Sequence, residues 1–432
     1  MQILVVGSGG REHAICAAFK RSGRVERIFC AEGNAGIAQI AECVPIKPTQ
    51  IEELADFAQR NSVNLTFVGG ETALALGIVD QFEKRELAVI GPPAAAARLE
   101  SSKIFAKDFM TRHGVPTARY AHAASPSAAV DILNGGKFGG PDDPVVVKAD
   151  GLAAGKGVIV AADRAQAVGA INGMGSLVGP EAASQIVLEE CLIGREVSLL
   201  MFADGEDFAL MPPTRDHKRI GEGDTGPNTG GMGTFTESSL LSETQINEIV
   251  ERIVRPTLRG CISEGYRFRG ILFLGLMMVD RAQAEAAPML LEYNVRFGDP
   301  ETQSILVRLE SDLADVCKTM IGGRLANEKI QWKPGNSACV ILAANGYPVH
   351  PAMGDVISGV NTAATLPNVD VFHSGTATDS EGRLITAGGR VLGVTATGRD
   401  LAAALHTAYE AAAQISWDGM QFRRDIGKAV GK

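Results

Sequence analysis

The run Leu291-Glu292-Tyr293-Asn294-Val295-Arg296-Phe297-Gly298-Asp299-Pro300-Glu301 alternates polar and apolar side chains. On an extended strand this places Glu292, Asn294 and Arg296 on one face and Tyr293, Val295 and Phe297 on the other. A carboxylate and an amide oxygen two residues apart make a hard-oxygen pair suited to Mg²⁺ bridging phosphates. Arg296 beside such an ion could neutralise charge that develops on a transferring phosphoryl group or an acyl phosphate. A solvent-facing polar strand with a surface ion pair explains the same alternation, but not an apolar opposite face that runs into a Gly-Asp-Pro turn.

Three further stretches have the composition of anion or substrate sites. Gly7-Ser8-Gly9-Gly10-Arg11-Glu12-His13 follows a strand-like run and opens a helix, so backbone amides and the helix dipole converge on one point. A sugar or nucleotide phosphate, a redox dinucleotide and a purely structural tight turn all fit that pattern. The dinucleotide fingerprint needs a third glycine where Glu12 stands, although Glu32 has about the spacing of a ribose-binding acid. Arg11 favours phosphate, because a guanidinium offers paired donors to its oxygens. In Val145 to Val158, the glycines Gly151, Gly155 and Gly157 separate two short strands, and Lys148 ends the first. Gly151 and Gly155 are spaced too closely for a Walker A loop, and Lys156 is followed by Gly157 and a strand. A hairpin flap over nucleotide phosphates remains, beside a plain surface hairpin. Lastly, Pro213 to Gly233 mixes Arg215, Asp216, His217, Lys218 and Arg219 with many glycines, a length of irregular chain expected to bind substrate or to be a solvated loop.

These stretches need elements to carry them. Strand-like runs at Gln2 to Val6, Arg27 to Cys30, Leu65 to Val68 and Leu87 to Ile90 alternate with helical segments, the rhythm of an open parallel sheet. Gly91-Pro92-Pro93 interrupts it and sets a boundary near Pro93. Ser101 to His113 reads as an amphipathic helix closed by Gly114 and Pro116. Long strands are expected at Ile186 to Glu190, Glu196 to Phe202, Ile271 to Val279 and Met289 to Phe297. After Pro334 the pattern shortens to strands and glycine turns with a closing helix, Leu401 to Ala413, as in a small mixed α/β unit.

Composition narrows the function. A chain of 432 residues with 45% hydrophobic and 21% charged residues is long enough for several cores. The net charge of −9 argues against a general nucleic-acid or membrane-surface role, which a concentrated basic face would serve. Met1 leads straight into an apolar strand without a basic n-region, and no apolar stretch reaches transmembrane length, so neither a signal peptide nor a membrane span is expected. The seven cysteines are scattered without a CxxC pair, as in reduced thiols of a cytoplasmic protein.

Taken in order, GSGGREHA at the start, SKIFAKDFM at 102–110, VVVKADGLAAGKGV at 145–158, LIGREVS at 192–198, RDHKRIGEGDTGPNTGGMG at 215–233, RFGDPETQ at 296–303, HSGT at 373–376 and TAGGRVLGV at 386–394 are distinctive. Together they resemble the ATP-grasp superfamily and, within it, the phosphoribosylamine–glycine ligase family, nearly end to end. The resemblance implies a multi-domain α/β (α+β) protein. It would comprise a pre-ATP-grasp parallel-sheet domain (1–100), an ATP-grasp core (101–122 and 186–325), an inserted flap (123–185) and a small mixed α/β C-terminal domain (326–432). It implies that Lys103 and Lys148 contact ATP phosphates, that Glu189, Glu190 and Leu192 lie on a strand edge that reads adenine, and that Glu196 holds the ribose. Glu292 and Asn294 would ligate Mg²⁺ or Mn²⁺. Gly9, Gly10, Arg11 and Asp299 would lie near 5-phosphoribosylamine, and Asp216, Lys218 and Arg296 near glycine and the reaction centre. The implied reaction joins glycine to that amine through glycyl phosphate, in a cytoplasmic monomer or weak homodimer. Another ATP-grasp ligase, a nicotinamide-dependent oxidoreductase and a non-catalytic nucleotide sensor are the competing functions.

Overall fold

The apolar runs near the N-terminus form five parallel strands: β1 (Gln2–Gly7), β2 (Arg27–Glu32), β3 (Glu42–Val44), β4 (Leu65–Val68) and β5 (Val89–Ile90). This is seen in a computed structural model that describes residues 1–151, 157–179, 181–281 and 284–428. Ile3, Leu4, Val5 and Val6 are buried on both faces of the sheet, which is why the run lacks alternation. The order β3-β2-β1-β4-β5 reverses at β1. The loops after β1 and β4 therefore open side by side, at the carboxyl ends where such sheets bind ligands. After β1 the chain enters helix Gly10–Lys20, whose first turn is closed by Glu12 accepting from Gly9 N–H at 2.7 Å.

A second, antiparallel sheet of four strands follows: β6 (Tyr120–Ala123), β7 (Val145–Ala149), β8 (Val158–Ala161) and β9 (Ile186–Glu190), in the order β6-β9-β7-β8. Its apolar face, with Val147, Ile186 and Leu188, packs on helices Pro126–Asn134 and Arg164–Val178, so this unit has a core of its own. Asp150, just past β7, ties it to the helix Lys103–Arg112. The Asp150 carboxylate accepts from Ser102 Oγ at 3.2 Å and Ile104 N–H at 3.1 Å, at the positively polarised helix start. The helix expected over Ser101 to His113 is Lys103–Arg112; a separate helix, Ala94–Ser101, precedes it and ends where Ser102 turns extended and caps the next, accepting from Phe105 N–H.

The third sheet has nine antiparallel strands. Its members are β10 (Gly194–Asp204), β11 (Phe208–Leu210), β12 (Thr214–Asp216), β15 (Gly233–Thr236), β16 (Arg269–Arg281), β17 (Ala284–Asn294), β18 (Asn336–Ala343), β19 (Val369–His373) and β22 (Arg390–Gly398). Two hairpins stand apart, β13 (Arg219–Gly221) with β14 (Thr225–Asn228), and β20 (Thr376–Thr378) with β21 (Leu384–Thr386). Because β15 pairs with β18, the C-terminal strands continue the sheet of the preceding domain.

Two sequence expectations are corrected here. Arg215 to Gly233 is not irregular chain: β12, the β13–β14 hairpin and the start of β15 lie within it, each too short and too rich in Gly and Thr to show a period. The strand expected through Phe297 stops at Asn294, and Arg296 sits in the bend that follows. The apolar face still forms, with Tyr293, Val295 and Phe297 all at most 2% exposed. Phe297 stacks on Phe67 of β4 at 5.8 Å and meets Phe202 of β10 edge-on at 6.2 Å. That one ring docks the N-terminal domain on the core directly behind Arg296, and its burial is worth about 2–3 kcal/mol.

Candidate functional site

Where these sheets meet lies a cavity of about 370 Å³. One wall is cationic. Lys103, at the start of its helix, donates to Gly151 O, just past β7, at 2.7 Å. One turn on, Lys107 Nζ lies 2.8 Å from Glu189 Oε2, and Lys148 Nζ lies 2.8 Å from Glu189 Oε1, the latter an ion pair off the hydrogen-bonding direction. Lys107 and Glu189 are 2% exposed at their side chains and Lys148 is 7% exposed. Burial lowers the Lys107 pKa to about 8, helped by Lys148 and opposed by Glu189. Burial also pushes Glu189 and Glu292 upward, but the neighbouring lysines prevail and hold both carboxyls below their ordinary range. For Glu292 these cations are Lys218, Lys148 and Lys103, with Arg296 behind them. No described residue hydrogen-bonds the Glu292 carboxylate. The neighbouring Asn294 Oδ1 accepts from Arg296 Nη2 at 3.1 Å.

The opposite wall is richer in acids. Arg296 is gripped by two carboxylates of the N-terminal domain, Glu100 at 2.7 Å and Glu71 at 3.2 Å. Despite burial, Arg296 and Arg11 hold the Glu71 pKa down to about 2. Asp216 and Glu301 face the same space, and burial raises both carboxyls, each helped by a neighbouring acid of the same wall: Glu301 for Asp216, Asp299 for Glu301. Asp216 Oδ1 is buried without a hydrogen-bond partner among the described residues. A second hollow of about 250 Å³ opens beside Gly7, Ser8 and Gly9 and shares Arg11, Glu71 and Asp299 with the first.

The chain that forms these joined hollows is matched nearly end to end by known proteins. Family models described as the N, ATP-grasp (A) and C domains of phosphoribosylglycinamide synthetase match residues 1–100, 101–302 and 337–429. A phosphoribosylamine–glycine ligase of Xylella fastidiosa is 45% identical over 99% of this chain and 97% of its own. This chain belongs to the phosphoribosylamine–glycine ligase family. The crystal structure of the Thermotoga maritima phosphoribosylamine–glycine ligase superposes with a TM-score of 0.83 at 34% identity, covering 99% of this chain and all (100%) of that one. The biotin carboxylase domain of the Hydrogenobacter thermophilus 2-oxoglutarate carboxylase, crystallised with MgADP and bicarbonate, shares the fold at a TM-score of 0.72 and 16% identity, over 98% of this chain and 91% of that one.

Of the residues the sequence singled out in this ligase-family chain, Lys103, Lys148, Gly151, Gly157, Glu189, Glu196, Asp216, Lys218, Glu292, Asn294, Arg296, Asp299 and Arg11 all line the main cavity. Gly9 lines the second hollow. Gly155 lies outside the described residues. Gly10 borders neither hollow. A Cβ there would stand 2.5 Å from Ser374 Oγ and 2.7 Å from Gln303 Nε2, so this glycine lets the helix pack on the C-terminal domain. Glu189 and Glu190 end β9, which is paired on both sides, with β6 and β7. The Glu189 side chain anchors two lysines, the Glu190 side chain pairs with Arg119 at 2.5 Å outside the cavity, and Leu192 is half-buried in the connection beyond. Glu196 pairs with Lys218 at 2.9 Å, which joins residues assigned separately to ribose and to the reaction centre. Glu32 is exposed and lines neither hollow.

The sequence reading missed Lys107, Glu71, Glu100, Glu301 and Arg390, which also line the cavity. For Lys107 a signal existed: four residues after Lys103 on a helix, it shares that lysine's face. Glu71 follows β4 at the switch point of the sheet, a position that topology marks. Arg390 gave no local sign.

Proposed function

We propose that this protein joins glycine to 5-phospho-D-ribosylamine at the expense of ATP, giving glycinamide ribonucleotide, ADP and phosphate, the step of de novo purine synthesis that its relatives' names describe. The observation that carries this is the joining of a lysine-lined cavity to a hollow at a glycine-rich helix start, with Arg11, Glu71 and Asp299 common to both. A triphosphate suits the first and a phosphorylated sugar the second. Lys103 and Lys148 hold the ATP phosphates, with Gly151 and Gly157 of the flap beside them. The stretch from Glu189 to Leu192 reads adenine and Glu196 holds the ribose.

Glu292 and Asn294 fit a hard divalent cation: an ionised carboxylate without a hydrogen-bond donor, and an amide oxygen beside it on β17. Among the described residues no three His, Cys, Asp or Glu side chains cluster for a metal, so the protein supplies only part of a shell, as suits Mg²⁺ or Mn²⁺ shared with phosphates. Such an ion neutralises charge on the phosphates. The chain's own groups do the rest. The glycine carboxylate attacks the γ-phosphate of ATP to give glycyl phosphate and ADP, and the sugar amine then displaces phosphate to form the amide. Arg296, fixed by Glu71 and Glu100, faces the charge that develops; Lys218 and Asp216 flank glycine. Closure of the flap excludes water from the acyl phosphate. No protein nucleophile is needed.

All of these groups come from one chain, so a monomer or weak homodimer suffices, and a cytoplasmic setting supplies ATP. No helix among the described residues is long and apolar enough to cross a membrane.

The test is ADP release from Mg-ATP with glycine and phosphoribosylamine generated in place from ribose 5-phosphate and ammonia, omitting each in turn. Release that requires both is the expected result. Release with a different carboxylate or acceptor would keep the ATP chemistry and replace the substrates.

A further inference from the structure

The motifs HSGT at 373–376 and TAGGRVLGV at 386–394 supply no residue to the reaction as described above. In the fold they build a mount for one side chain. A Cβ on Gly375 would stand 2.6 Å from Gly388 Cα, and a Cβ on Gly389 would stand 2.2 Å from the Tyr347 ring, so only glycines allow this packing. That close approach brings Arg390, the first residue of β22, out of the C-terminal domain and into the cavity wall. Arg390 Nη1 donates to Asp299 O at 2.7 Å and to Gly230 O, while Nη2 pairs with Asp299 Oδ2 at 3.1 Å. Tyr347 Oη takes Gly230 N–H at 3.1 Å. The second Asp299 oxygen accepts from Gln303 Nε2 at 2.7 Å. Both carboxylate oxygens of Asp299 are therefore oriented, at the place where the two hollows meet.

We propose that Arg390 is a positioning residue for the amine acceptor: a guanidinium from the C-terminal domain fixes Asp299 and the Gly230 turn, and so completes the acceptor subsite. This rests on the ligase reading above. The fork geometry is what matters. It spans two carbonyls and a carboxylate at once, which the point charge of a lysine does not. Asp299, held at both oxygens, keeps lone pairs directed at the hydroxyl or amine donors of a phosphorylated aminosugar. The lysine-lined wall does not touch Arg390, so ATP binding is independent of it.

The experiment is steady-state kinetics of wild type, Arg390→Ala, Arg390→Lys and Arg383→Ala, each substrate varied in turn with the acceptor generated in place. Arg383 is a control in the same domain, pairing among the described residues with Asp379 and Glu381 on the surface. The expected result is an acceptor KM raised about tenfold or more in Arg390→Ala, with the ATP KM within about twofold of wild type. Arg390→Lys shows a smaller rise, added guanidinium ion restores part of the Arg390→Ala activity, and Arg383→Ala matches wild type. An unchanged acceptor KM, or equal losses toward all three substrates, overturns the proposal. If Arg390→Ala does not fold, a wild-type acceptor KM in Arg390→Lys overturns it instead. Wild type that releases no ADP with glycine and the amine fails the ligase reading itself, and this inference falls with it.

Discussion

The two walls of the cavity are built on opposite electrostatic plans. On the nucleotide wall, Lys103, Lys107 and Lys148 outnumber their carboxylates, and Glu189 and Glu292 are held ionised by them. On the acceptor wall, burial raises Asp216 and Glu301, and one oxygen of Asp216 has no described partner. The first wall is assembled around its own internal ion pairs and stands ready for an anion. The second holds acids whose charge the described residues leave unmet, as expected of groups that meet a proton donor or ammonium on the substrate. Stability on one side and unmet charge on the other predict opposite responses to the same kind of substitution.

The largest effect is expected at Glu292, which the proposed mechanism assigns to the metal. Glu292→Gln keeps shape and removes the anionic oxygen, so turnover should fall by about a thousandfold or more while far-UV circular dichroism and melting stay near wild type. Retention of normal turnover would remove the metal assignment. Next comes Glu189→Gln, which strands two buried lysines. Losing one partner of a buried ion pair costs about 3–5 kcal/mol, so thermal unfolding should shift well down and the ATP KM should rise. Wild-type melting in that variant would mean that the lysines find other counter-charges, and the contrast between the walls would be lost.

The same contrast explains what the sequence made legible. The nucleotide wall is local: a lysine helix, a valine hairpin with its glycine turn and the strand Ile186–Glu190 each carry a short-range period, and each was read nearly to the residue. The acceptor wall gathers Arg11 and Glu71 from the N-terminal domain, Asp216, Asp299 and Glu301 from the central one and Arg390 from the C-terminal one. Arg390 and Asp299 are 91 residues apart, a distance no periodicity spans. Strands β12 to β15 escaped notice because strands of three or four residues, rich in Gly and Thr, are too short to show a hydrophobic alternation of their own. The reach of the C-terminal sheet into the core escaped as well, since β15–β18 pairing is a property of register and not of composition.

A third prediction concerns the seam that aligns the two walls. His13, on the helix that starts at the glycine-rich turn, accepts from His373 N–H of β19 through Nδ1 at 2.8 Å, and His373 Nδ1 lies 3.1 Å from Thr376 Oγ1. The rings are 7% and 3% exposed as residues. Burial lowers the pKa of His13 to about 3, with His373 adding to it, and burial lowers that of His373 to about 4. An unfolded histidine binds its proton near pH 6.5, so below that value the unfolded chain gains protons that the folded seam refuses. Stability is therefore full above about pH 6.5 and falls as pH drops, by about 2 kcal/mol per histidine at about pH 5. Thermal unfolding of wild type should show that loss between about pH 7.5 and 5, and a His13→Gln/His373→Gln variant should show a shallower one. An identical slope in both would place the acid sensitivity elsewhere.

The smallest effect is the most diagnostic, because it compares equal chemistry on the two walls. Glu301→Gln makes the same change as Glu189→Gln, at a residue only 5% exposed. Here burial raises the carboxyl pKa, so above the ordinary carboxylate range the folded protein carries a charge that it disfavours relative to the unfolded chain. A neutral amide keeps the acceptor oxygen toward Ser198 Oγ, now 3.5 Å away, and removes that penalty. Melting of Glu301→Gln at neutral pH should equal or slightly exceed wild type, beside the marked fall in Glu189→Gln. A fall of similar size in both would show that Glu301 is as firmly paired as Glu189, and the acceptor wall would then be a packed ion network like its counterpart, with no acid left waiting for substrate.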